Sequence, residues 1–164
     1  MAKPPRISCW LPWEVPEVYL FTLCQKNRLP LLANHAFADA LEIVLTMADH
    51  WDHEAWVIMP DHLHLLAGPK RREYRVSDWS RFVKVMTRRL CPGIGEWQPG
   101  IFDHLLRSAD SGEARWNYLR NNPVRAGLVK HWWEWPYFGG TIKRQAILAA
   151  RSAALQKSSS FPTL

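Results

Sequence analysis

Cysteine is scarce in these 164 residues: Cys9, Cys24 and Cys91 are the only three, and no two of them form a CxxC pair. Any disulfide scheme leaves one thiol over, which argues against a disulfide-stapled secreted scaffold and for a reducing, cytoplasmic setting. Long apolar runs are missing as well. No stretch approaches the roughly 18 uninterrupted apolar residues of a spanning helix. The opening MAKPPRISCW has no apolar segment behind its basic start, so neither membrane insertion nor secretion is expected. The phosphate-cradling patterns GxxxxGK[ST] and GxGxxG are absent too, which removes the usual nucleotide and dinucleotide readings. No internal repeat is visible.

What is present fits one ordinary domain with a sizeable core, since 48% of the residues are apolar. Tryptophan is abundant at ten, and 21 Lys and Arg against 15 Asp and Glu leave a net charge of +6. Nucleic acid is a natural partner for such a balance. The basic excess is also polarised. Residues 1–69 hold 4 basic and 8 acidic side chains, and residues 70–164 hold 17 and 7.

Residues 1–16 carry Pro4, Pro5, Pro12 and Pro16 and read as an extended arm. Residues 17–25 read as a strand. Beyond Asn34, a candidate N-cap, Phe37, Leu41, Val44, Leu45 and Ala48 recur at helical spacing and predict a helix over 35–50. Two β-rich runs, 53–60 and 62–68, meet at Pro60-Asp61 and should pair antiparallel. Trp79, Val83, Met86 and Leu90 then form an apolar stripe, with Arg81, Lys84 and Arg88 on the other side of the same helix. A fourth strand is expected at 101–108 and a helix from Ser111 to Arg120. The order βαββαβ followed by a helix predicts an α+β protein, a ferredoxin-like split βαβ antiparallel sheet with helices on one face and an open face or edge for a site. Residues 141–164 read as a tail, partly helical or disordered.

Strand alternation puts His62 and His64 side by side on one face, with Leu63 and Leu65 turned into the core. Such a pair can grip one divalent cation, although HxH alone also fits two surface histidines that share a strand. Tyr118 lies in a cationic segment, RWNYLRNN, with Asn122 four residues on. Tyrosine and amide can therefore face one point. The alternative packs Tyr118 in the core and uses Asn122 to cap a second short helix, with Pro123 at its first position and Gly127 near its end. Asp61 can orient an imidazole or simply make a Pro-Asp turn, and His104 on the fourth strand fits a packed or surface role better than support of the pair, so both stay outside the main set. Trp132, Trp133 and Trp135 suit either base stacking or packing.

Four segments in order, MPDHLHLL, RFVKVMTRR, WQPGIFDHLLR and YLRNNPVRAGLV, together resemble the REP-associated tyrosine transposases of the HUH single-tyrosine superfamily. The resemblance runs from about residue 17 to about residue 138. It implies an HUH endonuclease domain over 17–140 that cuts and rejoins single-stranded DNA near a hairpin through a 5′-phosphotyrosine intermediate. It further implies His62 and His64 as a metal-binding pair, Tyr118 as nucleophile, Asn122 as third ligand, and Mg²⁺ or Mn²⁺ as the ion, with no nucleotide cofactor. Imidazoles by themselves suit zinc, manganese or nickel better than magnesium.

Free tyrosine has a pKa of about 10, so Tyr118 needs activation, for which Arg115 and Arg125 are candidates. DNA contact is expected from Lys70, Arg71, Arg72 and Arg75, from Arg81, Lys84 and Arg88, and from Arg115 and Arg125. A monomer working on the nucleoid is expected, since relatives of this type keep nucleophile and metal pair in one chain while insertion-sequence relatives pair subunits. Two other readings stay open: a hairpin-binding protein that no longer cuts, and a metal-dependent phosphodiesterase that uses water in place of Tyr118.

Overall fold

Alternating apolar residues build β1 (Val18–Cys24), from which α1 (His35–Met47) crosses over to β2 (Trp51–Ile58). β3 (His62–Pro69), α2 (Val76–Leu90) and β4 (Phe102–Leu106) follow, then α3 (Gly112–Arg120), α4 (Asn122–Arg125) and a short β5 (Phe138–Gly139). The computed structural model describes residues 18–106 and 112–141. The arm over 1–16 and the Ala-rich tail lie outside the described residues.

The strands form one antiparallel sheet in the order β4-β1-β3-β2-β5. The first four give the expected ferredoxin-like order, because α1 returns the chain past the slot that β3 fills and α2 does the same around β1. Two local devices set the register. The Asn34 side chain accepts the Phe37 amide at 2.9 Å and starts α1. The Met59 amide donates to the His62 carbonyl at 2.8 Å, closing the two-residue Pro60-Asp61 turn.

Four expectations change. Helices do not cover one face alone. Phe21, Leu23, Leu63 and Leu65 are buried with residues of α1 and α2, whereas Ala55, Val57 and Leu66 on the opposite face are buried with Trp116 and Leu119 of α3, Trp132 and Phe138. β5 is a fifth strand that the sequence reading did not contain. Leu90 does not continue the α2 stripe: it is exposed, and Thr87 takes the inward position, its hydroxyl bonded to the Val83 carbonyl at 2.7 Å. Lys84 is not an outward cation either. It is half-buried, and its ammonium donates to the carbonyls of Gln98 and Gly100, tying the segment before β4 to α2.

Candidate active site

The pairing of β3 with β1 sets His64 opposite Thr22 and His62 opposite Cys24. Both imidazoles stand on the face away from α1 and α2, with ring centroids 4.7 Å apart and planes at 84°. Each ring is anchored through Nδ1. Thr22 Oγ1 lies 2.8 Å from His64 Nδ1, and Asp61 Oδ1 lies 2.6 Å from His62 Nδ1. Nδ1 anchoring leaves Nε2 as the atom that faces a ligand.

Asp61 is in turn held by Arg28, whose Nε is 2.6 Å from Oδ2. Asn27 and Arg28 take left-handed φ values of 60° and 54°, a backbone state that non-glycine side chains rarely adopt and that turns Arg28 back over the β-hairpin. Partial burial works to raise the Asp61 carboxyl, but the His62 hydrogen bond and the charges of His62 and Arg28 outweigh it and hold it below the usual range. Burial pushes His64 down to about 4, reinforced by the charges of His62, Arg125 and Arg28. His64 is therefore a neutral imidazole at physiological pH, the form that can donate a lone pair to a metal.

Tyr118 does not pack in the core. Trp116 and Leu119 take the inward side of α3 and leave Tyr118 46% exposed. Arg125 of α4 lies over its ring, 5.2 Å from the centroid, and the same guanidinium depresses His64. Arg125 thus links the tyrosine and the histidine strand. Asn122 also differs from the capping alternative. Asn121 precedes α4 without a side-chain cap, and the Asn122 amide nitrogen donates to the carbonyls of Tyr118 and Leu119, each at 3.0 Å. Two carbonyl acceptors fix the nitrogen there, and among the described residues Oδ1 has no bonded donor, so the amide oxygen stays open as an acceptor.

The basic residues are spread further than their sequence suggests. Lys70, Arg71, Arg72 and Arg75 follow the end of β3 remote from His62, roughly 25 Å away at about 3.3 Å per residue. Lys70 pairs with Asp52 at 3.7 Å and Arg71 with Glu73 at 3.6 Å. Arg81 and Arg88 are exposed on α2, across the sheet from the histidines, and Arg88 lies 3.7 Å from Glu96. Arg115 and Arg125 alone among the nine belong to elements on the histidine face. Trp132 is buried and Trp135 bonds the Ile58 carbonyl at 2.9 Å, whereas Trp133 is exposed and stacks on His131. His104 occupies a β4 position opposite Leu20. Thr22 and Arg28 were missed by the sequence reading; Thr22 was findable from strand pairing, but no local pattern marks Arg28.

No family model matches the chain. The REP-associated tyrosine transposase of Escherichia coli (strain K12) is 31% identical over 122 residues, which cover 73% of this chain and 73% of that protein. The chain belongs to the REP-associated tyrosine transposases. A Haemophilus influenzae protein assigned to the same family is 24% identical over 136 residues, covering 73% and 77% of the two chains. Among solved structures, a REP-associated tyrosine transposase bound to a REP hairpin superposes with a TM-score of 0.60 at 23% identity, over 80% of this chain and 82% of that one. A Deinococcus radiodurans crystal structure described as a transposase gives 0.50 at 20% identity, over 73% and 97%. Both structures share the fold of this REP-associated transposase.

The ion implied for such a transposase can be tested against these side chains. Among the described residues, no three or more His, Cys, Asp and Glu side chains group to hold a metal. The two Nδ1-anchored imidazoles, with Nε2 open, are nevertheless donors suited to a divalent cation that completes its shell with other oxygens, for which the Asn122 amide oxygen is of the right chemical type.

Proposed function

We propose that this transposase is a single-stranded DNA endonuclease and strand transferase acting on hairpin DNA, with Tyr118 as its nucleophile. One observation carries the reading: Tyr118 is exposed on the histidine face beneath Arg125, whose charge also reaches His64. The solved relative with a bound REP hairpin supports hairpin DNA as the substrate class.

In this reading, the Tyr118 phenol oxygen attacks the scissile phosphorus as its proton leaves. A phosphotyrosine bond forms, the bond from phosphorus to the 3′ oxygen breaks, and the strand end departs as a 3′ hydroxyl. The link conserves the phosphodiester, so that hydroxyl can reverse the step and reseal without ATP. Arg125 offsets negative charge at the phenol oxygen and phosphate. Thr22 and Asp61 orient His64 and His62, which with Asn122 would hold Mg²⁺ or Mn²⁺. The ion supplies Lewis-acid stabilisation of the phosphate oxygens. Arg125 joins Tyr118 to His64 within a single chain, which favours action as a monomer on chromosomal DNA in the cytoplasm.

The test is a denaturing gel of end-labelled hairpin-bearing single-stranded DNA with Mn²⁺ or Mg²⁺. A protease-sensitive adduct is expected with the natural chain and not with Tyr118→Phe or with the double variant His62→Ala, His64→Ala. Cleavage that survives Tyr118→Phe assigns attack to water instead. Binding without cleavage under either ion assigns a hairpin-binding role.

A further inference from the structure

Phe102 opens the edge strand β4 and is 61% exposed. Register fixes the direction of its ring. Thr22 pairs with Phe102 on one side and with His64 on the other, and directly opposed residues of antiparallel strands project to the same face. Because the Thr22 hydroxyl meets His64 Nδ1, that face is the histidine face. At about 4.8 Å between strands, Phe102 stands roughly 10 Å from the His64 position. α3 seats its Trp116 and Leu119 on residues of β2 and β3, so the helix that carries Tyr118 covers the β2 side of this face while Phe102 borders the histidines from the β4 side. Ile101, one residue earlier, turns to the other face and packs against the α1 and α2 core.

We infer that Phe102 is a stacking platform for one unpaired base of the DNA strand that crosses the histidine pair. The inference rests on the proposed function, which supplies single-stranded DNA as the ligand. An open aromatic ring takes any base, because every base has a π-face, so Phe102 positions the strand without reading its sequence. Roughly 10 Å corresponds to about three nucleotides of stacked strand, at 3.4 Å each. The platform is uncharged, so its share of affinity does not depend on salt, unlike that of side chains that neutralise phosphates.

The test uses the full chain carrying Tyr118→Phe, which holds substrate uncleaved, and a hairpin oligonucleotide with 2-aminopurine at each single-stranded position in turn. One position is expected to be quenched when Phe102 is present and with Phe102→Trp, and to stay bright with Phe102→Ala. Phe102→Ala should bind roughly five- to a hundredfold more weakly at an unchanged salt slope. An abasic site at that position should produce the same loss, with no further loss on adding Phe102→Ala. An unchanged melting temperature for Phe102→Ala, expected for an exposed ring, separates stacking from folding.

The inference is overturned if Phe102→Ala retains every quench and the full affinity. Adduct formation by the natural chain, scored on the same oligonucleotide, keeps the two readings apart. Adduct without Phe102-dependent quenching sinks the platform alone. Phe102-dependent quenching without adduct sinks the nucleophile alone, and absence of binding sinks both.

Discussion

His53 sits on the opposite face of the sheet from the candidate site, against Trp79, and its chemistry is easy to isolate. Burial pushes its imidazole down to about 4, with Lys70 adding to the effect and Asp52 opposing it. Its Nε2 accepts the Trp79 indole N–H at 3.2 Å, which requires the unprotonated ring. His64 is depressed to about 4 in the same direction. In the unfolded chain both titrate near 6.5, so between about 4 and 6.5 the unfolded state binds more protons and stability rises with pH. Each histidine contributes at most about 1.4 kcal/mol per pH unit. The urea midpoint should fall as pH drops through that window, and His53→Gln should flatten the fall. An NMR titration of His53 near 6.5 would contradict this account. Thr22→Val makes a second prediction at this scale. The change keeps shape and removes the hydroxyl that orients His64, so half-maximal cleavage should need about tenfold or more Mn²⁺, with little change in melting temperature.

At the scale of elements, β5 and α3 stabilise each other. Phe138 is buried with Trp116 and Trp132, and Gly139 admits the Trp56 ring so closely that a Cβ there would overlap it. Gly140 has φ +105° and lies against the backbone of Glu54 and Ala55. Gly139→Ala should therefore lift β5 and release Phe138, costing up to about 3–5 kcal/mol, the range for losing a buried phenylalanine. Hydrogen exchange should rise in α3 as its seat loosens, and cleavage should fall with it. Unchanged protection in α3 would show that the helix does not depend on β5.

The same elements explain what could be read in advance. Asn34, the Pro60-Asp61 turn and the alternation in β1 and β3 are local signals, and they placed β1, α1, β2 and β3 to within about three residues. The second helical layer was legible only in apolar residues such as Val57 and Leu66 on the face expected to be open. Phe138–Gly139 is too short to show any period.

Across the whole molecule, charge is divided between two ends and two faces. The 70–75 segment lies roughly 25 Å along β3 from His62, so only a long ligand can meet both. Substituting Arg71, Arg72 and Arg75 together by alanine should weaken binding of an extended hairpin and lower its salt slope by about one for each phosphate that is no longer neutralised. An oligonucleotide too short to span that distance should be cut as before. Equal losses for both lengths would place these arginines at the catalytic end instead. Among the described residues, no helix is long and apolar enough to cross a membrane.

The sequence by itself determined the order of elements, the shared face of His62 and His64, and the family, because strand alternation, capping and motif order are all properties of neighbouring residues. Tertiary structure alone decided which cations share that face, that Asn122 bonds through its nitrogen, that Lys84 is engaged internally, and that Phe102 stands in a row with Thr22 and His64. Each of these depends on which strand or helix lies alongside another. That choice is made by burying both faces of the sheet together, and residues 40 or 80 positions apart meet only once it is made.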